Sequence, residues 1–205
     1  MGLSAAMLQD HLDALAGRDP RFAAALALAG YPEPRMRDPG YVTLLRTIVG
    51  QQISFKAADA VWKKVETAVG DIGSPQALIA RSDEDLRAAG LSRQKIGYAR
   101  SLAELVASGS LSLEALPIDD EEAIALLTRV KGIGRWSAEV YLLFAEGRSD
   151  IWPAGDLAVQ ESVRRIIGHD ERPNEKAARV IAEGWRPYRG AAAIFAWHHY
   201  KIPVI

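Results

Sequence analysis

The 205-residue sequence contains no cysteine. That excludes structural disulfides, a cysteine nucleophile, thiolate-held zinc and cysteine-ligated iron–sulfur clusters. An excess of one charge is also missing: 25 basic residues stand against 26 acidic ones, a formal charge of −1, so no global basic field points to nucleic acid. No stretch approaches the ~18 consecutive apolar residues of a membrane span. The start, Met1-Gly2-Leu3-Ser4-Ala5-Ala6-Met7, lacks the basic region and apolar run of a signal peptide. A soluble protein of the cytoplasm is therefore expected. Strand-like alternation is scarce, and no internal repeat or low-complexity tract interrupts the chain. The 49% hydrophobic and 25% charged residues that are present suit one globular domain, or two small ones.

Helix signals dominate. Leu12, Leu15 and Ala16 form a short apolar stripe, and Asp19-Pro20 opens a second helix to about Ala29. Gly30-Tyr31-Pro32-Glu33-Pro34 is a break. Leu44, Leu45, Ile48 and Val49 then recur at helical spacing from Tyr41 to Gly50, and Ser54 reads as the N-cap of a helix carrying Ala57, Ala58, Val61, Trp62 and Val65. Ser82 precedes a short helix, and Ser92 a longer one with Ile96, Ala99, Leu102, Ala103 and Val106 on one side. Asp119-Asp120-Glu121-Glu122 places acids in a first turn, where they favour the positive helix end. The fold class is all-α.

Charge is uneven along the chain. Residues 82–122 hold nine acids and four bases, whereas 172–205 hold six bases and two acids, with His198 and His199 besides. A one-sided basic face and ordinary solvated helix surfaces both fit this pattern.

The most informative stretch is Thr128-Arg129-Val130-Lys131-Gly132-Ile133-Gly134-Arg135-Trp136-Ser137. A helix with Ile124, Leu127 and Val130 inward meets Gly132-Ile133-Gly134, and a second helix follows with Val140, Leu143 and Phe144 inward. Two glycines around one apolar residue give a tight turn whose backbone can approach another surface closely. The turn opens onto a helix N-terminus, where free N–H groups suit a phosphate. A near-neutral protein can hold DNA in this way, although a plain helix–turn–helix corner would look the same. Twenty residues past Trp136 lies Asp156, at the expected start of a helix that buries Leu157, Val159 and Val163. An N-cap is the simplest reading of such an aspartate. It is compatible with a catalytic one, because the helix N-terminus helps a carboxylate stay ionised.

In this order and spacing these residues resemble the helix-hairpin-helix DNA glycosylases, whose hairpin has a Gly/Pro-rich loop followed by an essential Asp, and within them the DNA-3-methyladenine glycosylase II branch. Further matches are Ile48-Val49-Gly50-Gln51-Gln52-Ile53-Ser54-Phe55-Lys56-Ala57-Ala58, Gly90-Leu91-Ser92-Arg93-Gln94-Lys95 and Trp185-Arg186-Pro187-Tyr188-Arg189 followed by Trp197. The resemblance implies two all-helical subdomains flanking a DNA-binding cleft: 40–148, with the hairpin at about 121–146, and 1–39 packed with 149–205.

It further implies base flipping and hydrolysis of an alkylated purine, of the 3-methyladenine or 7-methylguanine type, from damaged double-stranded DNA. Asp156 would be the catalytic carboxylate, with Trp136, Trp197 and Tyr141 in the base pocket. Tyr141 matches less well, since the family's pocket aromatic aligns with Val140. Gln52, then Gln51, would supply the wedge that fills the vacated stack. The backbone amides of Gly132, Gly134 and Ser137 would grip phosphate, and the carbonyls of Thr128, Val130 and Ile133 would hold Na+ or K+. No cofactor is expected for the chemistry itself. Bifunctional relatives carry a nucleophilic lysine where Trp136 stands, so an abasic site is the expected product. The expected state is a monomer. A sister enzyme for oxidised or mismatched bases, and a damaged-DNA-binding module without catalysis, are the rival readings.

Overall fold

The computed structural model describes residues 3–202; Met1 and Gly2 of the expected leaderless start, and 203–205 of the second expected subdomain, lie outside it. Among the described residues there are twelve α-helices and no strand. The helix starts follow local chemistry. Ser4, Asp19, Ser54, Ser82, Ser92, Asp119 and Asn174 each place a side-chain oxygen on an otherwise unsatisfied backbone N–H. Such caps are worth ~1 kcal/mol each.

The chain divides into two compact units, 38–138 and the pair of segments 1–37 and 139–205. The 38–138 unit holds α3 (Tyr41–Gly50), α4 (Phe55–Val69), α5 (Pro75–Ile79), α6 (Asp83–Ala88), α7 (Arg93–Ala107) and α8 (Asp120–Leu127). Helix α7 packs against α3, α5 and α6, and α3 also packs on α4. Leu44, Leu45, Ile48, Val65, Leu78, Leu86, Ala99 and Leu102 have no exposed surface. Each fully buried Leu or Ile contributes roughly 1.5–3 kcal/mol.

The other unit holds α1 (Ala5–Ala16), α2 (Pro20–Ala29), α10 (Leu157–Ile167), α11 (Glu175–Ala182) and α12 (Arg189–Tyr200). Helix α12 packs on α10, α1 and α2. Phe22 lies 5.0 Å from Phe195 and 5.8 Å from Trp185, which lies 5.4 Å from Trp152. Trp62 and Trp152 are both buried.

The later crossing between units falls at 138/139, inside α9 (Arg135–Tyr141), and not at 148/149 as the resemblance implies. The reason is tertiary. The Arg37 N–H donates to the Phe144 carbonyl at 2.9 Å, and buried Glu139 pairs with Arg179 at 3.0 Å. The helix continues past Tyr141 as a π-helical turn, Leu142–Glu146, which ends at Gly147 in the left-handed region. A second expectation also needs correction: Leu157 is 61% exposed. It is the first residue after the cap, on the outer side of α10, whereas Val159 and Val163 on the inner side are fully buried.

Candidate functional site

Asp156 is the N-cap of α10. Its Oδ1 accepts from the N–H groups of Ala158 at 2.9 Å and Val159 at 3.0 Å. These two bonds fix the half-buried carboxylate at the positive end of an eleven-residue helix. The loop before it is tied at several points. Buried Gln160 donates Nε2 to the Ala154 carbonyl at 2.7 Å, and the Trp152 indole N–H donates to the Ala178 carbonyl at 3.1 Å. Arg179 reaches the Trp152 carbonyl at 3.4 Å as well as Glu139.

The stretch Trp185-Arg186-Pro187-Tyr188-Arg189 braces the other end of this loop. Arg186 and Arg189 both bind the Asp150 carboxylate, at 2.6 and 3.0 Å, and both bind Glu183. Gly190 lets α12 approach the loop: a Cβ there would stand 2.6 Å from the Ser149 carbonyl. Trp197, half-buried on α12, lies against Phe144 in a tilted pair with ring centroids 5.6 Å apart. Tyr141 is buried.

The hairpin turn is built within the 38–138 unit. Gly132 has φ +82°, and a Cβ there would fall 2.1 Å from the Tyr98 ring, which therefore lies flush on the turn. The Gln94 amide donates to the Tyr98 hydroxyl at 2.5 Å. The Lys131 N–H donates to the Ser101 hydroxyl at 3.1 Å, and the Ile133 N–H to the Val130 carbonyl at 3.0 Å. Gly134 is exposed, with nothing within 4 Å of a notional Cβ. Trp136, 46% exposed, follows in the first turn of α9, with Ser137 beside it half-buried.

The carbonyls of Thr128, Val130 and Ile133 are neutral oxygens on one short turn, a set that fits a hard monovalent cation, and Val130 keeps a second lone pair beyond its bond from Ile133. Among the described residues no group of three His, Asp or Glu side chains is placed to hold a metal. None of their helices is long and apolar enough to cross a membrane.

The loop between α3 and α4 reaches this turn. The Gln51 amide donates to the Gly132 carbonyl at 2.8 Å, so the side chain expected as the second wedge residue is directed at the hairpin. Gln52 is exposed with φ +56°, the one non-glycine residue in the left-handed region among those described. The Lys95 ammonium donates to the Val49 carbonyl at 2.7 Å and so fixes the end of α3; burial pulls its pKa down.

Sequence reasoning missed Tyr98, Ser101 and Arg179, and it gave no role to Phe55. Those three act through long-range contacts that no local pattern reveals. Phe55 is 87% exposed at the first position of α4, beside Ile53 at 39%. An apolar residue on the outward side of the helical pattern was the available signal. Side chains of this kind can slide between base steps.

Comparison with known proteins gives the same direction. A family model described as HhH-GPD superfamily base excision DNA repair protein matches residues 45–187. DNA-3-methyladenine glycosylase 1 of Schizosaccharomyces pombe is 32% identical over 196 residues, covering 92% of this chain and 86% of that protein. A DNA-3-methyladenine glycosidase structure from Bacillus halodurans aligns with a TM-score of 0.85 at 33% identity, over 93% of this chain and 89% of that one. A 3-methyladenine DNA glycosylase from Schizosaccharomyces pombe, solved in complex with abasic DNA, aligns with a TM-score of 0.78 at 30% identity, over 92% and 95%. The chain therefore belongs to the HhH-GPD superfamily of base excision DNA repair proteins.

Proposed function

We propose that the protein is a monofunctional DNA glycosylase that flips alkylated purines out of double-stranded DNA and hydrolyses their N-glycosidic bond. It would act as a monomer in the cytoplasm and leave an abasic site for base excision repair. The observation that carries this reading is the Asp156 carboxylate, oriented by two backbone N–H groups at the head of α10, in a chain of this superfamily.

As the bond from C1′ to the base nitrogen breaks, the electron pair leaves with the base. A purine alkylated at N3 or N7 already carries positive charge and departs as a neutral molecule, so little acid catalysis is needed. Positive charge builds on C1′ and the ring oxygen of the sugar. The fixed Asp156 carboxylate stabilises that charge, which is the differential transition-state binding that accelerates a reaction. Water then adds to C1′, its oxygen forming the new bond and its proton passing to the solvent. Trp136 offers an indole face to a cationic base. Having no amine, it cannot form the Schiff base that strand cleavage requires.

Flipping costs a few kcal/mol of unstacking. Gln52 would fill the gap, while the amides of Gly132, Gly134 and Ser137 hold a backbone phosphate. A monovalent ion on the Thr128, Val130 and Ile133 carbonyls would add positive charge beside that phosphate and nothing at the sugar.

The test is single-turnover release of 3-methyladenine or ethenoadenine from a defined duplex by wild type and Asp156→Asn. Asparagine caps helices as well as aspartate, so the fold is retained. Release should fall by at least about 100-fold, the scale on which loss of one preorganised electrostatic group is felt. Strand breaks should form only after alkali. Breaks without alkali would overturn the monofunctional reading, and full activity in the variant would remove Asp156 from the chemistry.

A further inference from the structure

We infer that Gln51 is a positioning residue: it couples the Gln52 loop to the hairpin turn, so that a turn docked on DNA backbone sets how far Gln52 reaches into the stack. The inference rests on the functional reading above and adds to it the link between its two DNA-contacting parts.

Three observations carry it. First, the Gln51 amide spans 81 residues of sequence to donate to the Gly132 carbonyl at 2.8 Å, joining the loop to the centre of the turn. Second, the next residue, Gln52, sits in a backbone region that L side chains disfavour, and such a conformation persists only when its surroundings over-determine it. The surroundings do so here. Lys95 holds the Val49 carbonyl before the loop, the Ser54 hydroxyl accepts from the Ala57 N–H after it, and Gln51 ties the loop itself to the hairpin. Third, the turn at the other end of this bond is itself rigid. Tyr98 lies against Gly132 with no room for a Cβ, and Ser101 holds the Lys131 N–H. A bond between a rigid turn and a strained loop transmits position. The same amide on a floppy partner would not.

A coupling residue of this kind leaves a signature that a merely structural one does not. Its loss should matter most where the base must be driven out of a paired stack, and least where the stack is already open. The experiment compares single-turnover release of 7-methylguanine opposite cytosine with release from an otherwise identical duplex in which the lesion is unpaired in a one-nucleotide bulge. Gln51→Ala is expected to slow release from the paired duplex about tenfold and from the bulge about twofold or less. Affinity for undamaged duplex should change less than about twofold. Gln51→Glu keeps the side-chain size but turns the donor into a carboxylate facing a carbonyl, so its defect on the paired duplex should exceed that of Gln51→Ala.

Equal slowing on both duplexes, no slowing on either, a collapse of duplex affinity, or wild-type behaviour of Gln51→Glu would each overturn the inference. If wild type releases no 7-methylguanine from either duplex, the functional reading fails and this inference falls with it. If wild type is active and the variants slow both duplexes alike, only the coupling fails.

Discussion

At the scale of single residues, one side chain does its structural and its proposed chemical work with the same atoms. Asp156 satisfies two N–H groups of α10 and is thereby aimed, so the cap that the sequence suggests and the catalyst that the resemblance implies are one arrangement. Gln52 is the opposite case, a residue whose backbone works against the fold. A left-handed conformation costs an L residue ~1–2 kcal/mol, and glycine escapes that cost at an entropic penalty of ~0.5–1 kcal/mol. Gln52→Gly should therefore be more stable than Gln52→Ala by up to about 1 kcal/mol in urea unfolding, although both lose the same amide. Both should slow base release from a paired duplex. Equal stability of the two variants would show that position 52 carries no strain in solution. Nothing in the local sequence discloses the strain. Gln51-Gln52 reads as a helix end, and only the tether to Gly132 reveals why the chain bends there.

At the scale of elements, the two hairpin glycines are separable. Gly132 is demanded by the protein, through φ +82° and the Tyr98 ring at 2.1 Å from a notional Cβ. Gly134 meets nothing within 4 Å, so it is left for whatever approaches from outside. Gly132→Ala should destabilise by roughly 2 kcal/mol or more, combining left-handed strain with overpacking. Gly134→Ala should unfold within about 1 kcal/mol of wild type and yet bind duplex DNA several-fold more weakly. Thermal melts and a duplex titration on both variants check this. If Gly134→Ala binds normally, the turn does not meet DNA at that glycine.

The sequence makes both glycines visible and cannot divide their labour, because the partner of Gly132 lies 34 residues upstream on α7. Helix starts such as those after Ser54, Ser82, Ser92 and Asp119 are legible because a cap and its amide lie within three residues of each other. The π-helical turn at Leu142–Glu146 is not legible, since its residues keep an ordinary helical pattern and only their packing departs from it.

At the scale of the whole molecule, acid should act through one sign of shift. Burial, with Arg165 and His198 adding to it, holds the His199 imidazole below its ordinary range, and its Nδ1 meets the buried Ser162 hydroxyl at 2.9 Å. A histidine kept neutral in the fold stabilises it fully above the unfolded pKa of ~6.5, and that contribution is lost as pH falls from there toward the lower folded value. His11 shifts in the same direction, also through burial. Asp19, Glu161 and Glu183 are held below the usual carboxylate range by Arg21, Arg164 and Arg186, so their contributions are lost only at still lower pH. Urea midpoints should fall between about pH 7 and 5 for wild type. His199→Gln, less stable throughout, should have a shallower slope across that window. Parallel slopes would show that His199 titrates alike in both states.

The division of the chain into units was only partly legible. The break after Gly30 is written in prolines and glycines, whereas the crossing at 138/139 falls inside a continuous helix and is set by what Glu139 and Phe144 touch.

The ion pairs that brace the loop before Asp156 carry a further consequence. Arg179, Arg186 and Arg189 belong to the basic C-terminal stretch, yet each is committed to an acid of its own chain. Charges already paired with the protein's own carboxylates displace little of the counterion atmosphere of a polyanion. These three side chains should therefore add little to the salt dependence of duplex binding, and replacing any of them should leave the slope of log affinity against log salt close to that of wild type.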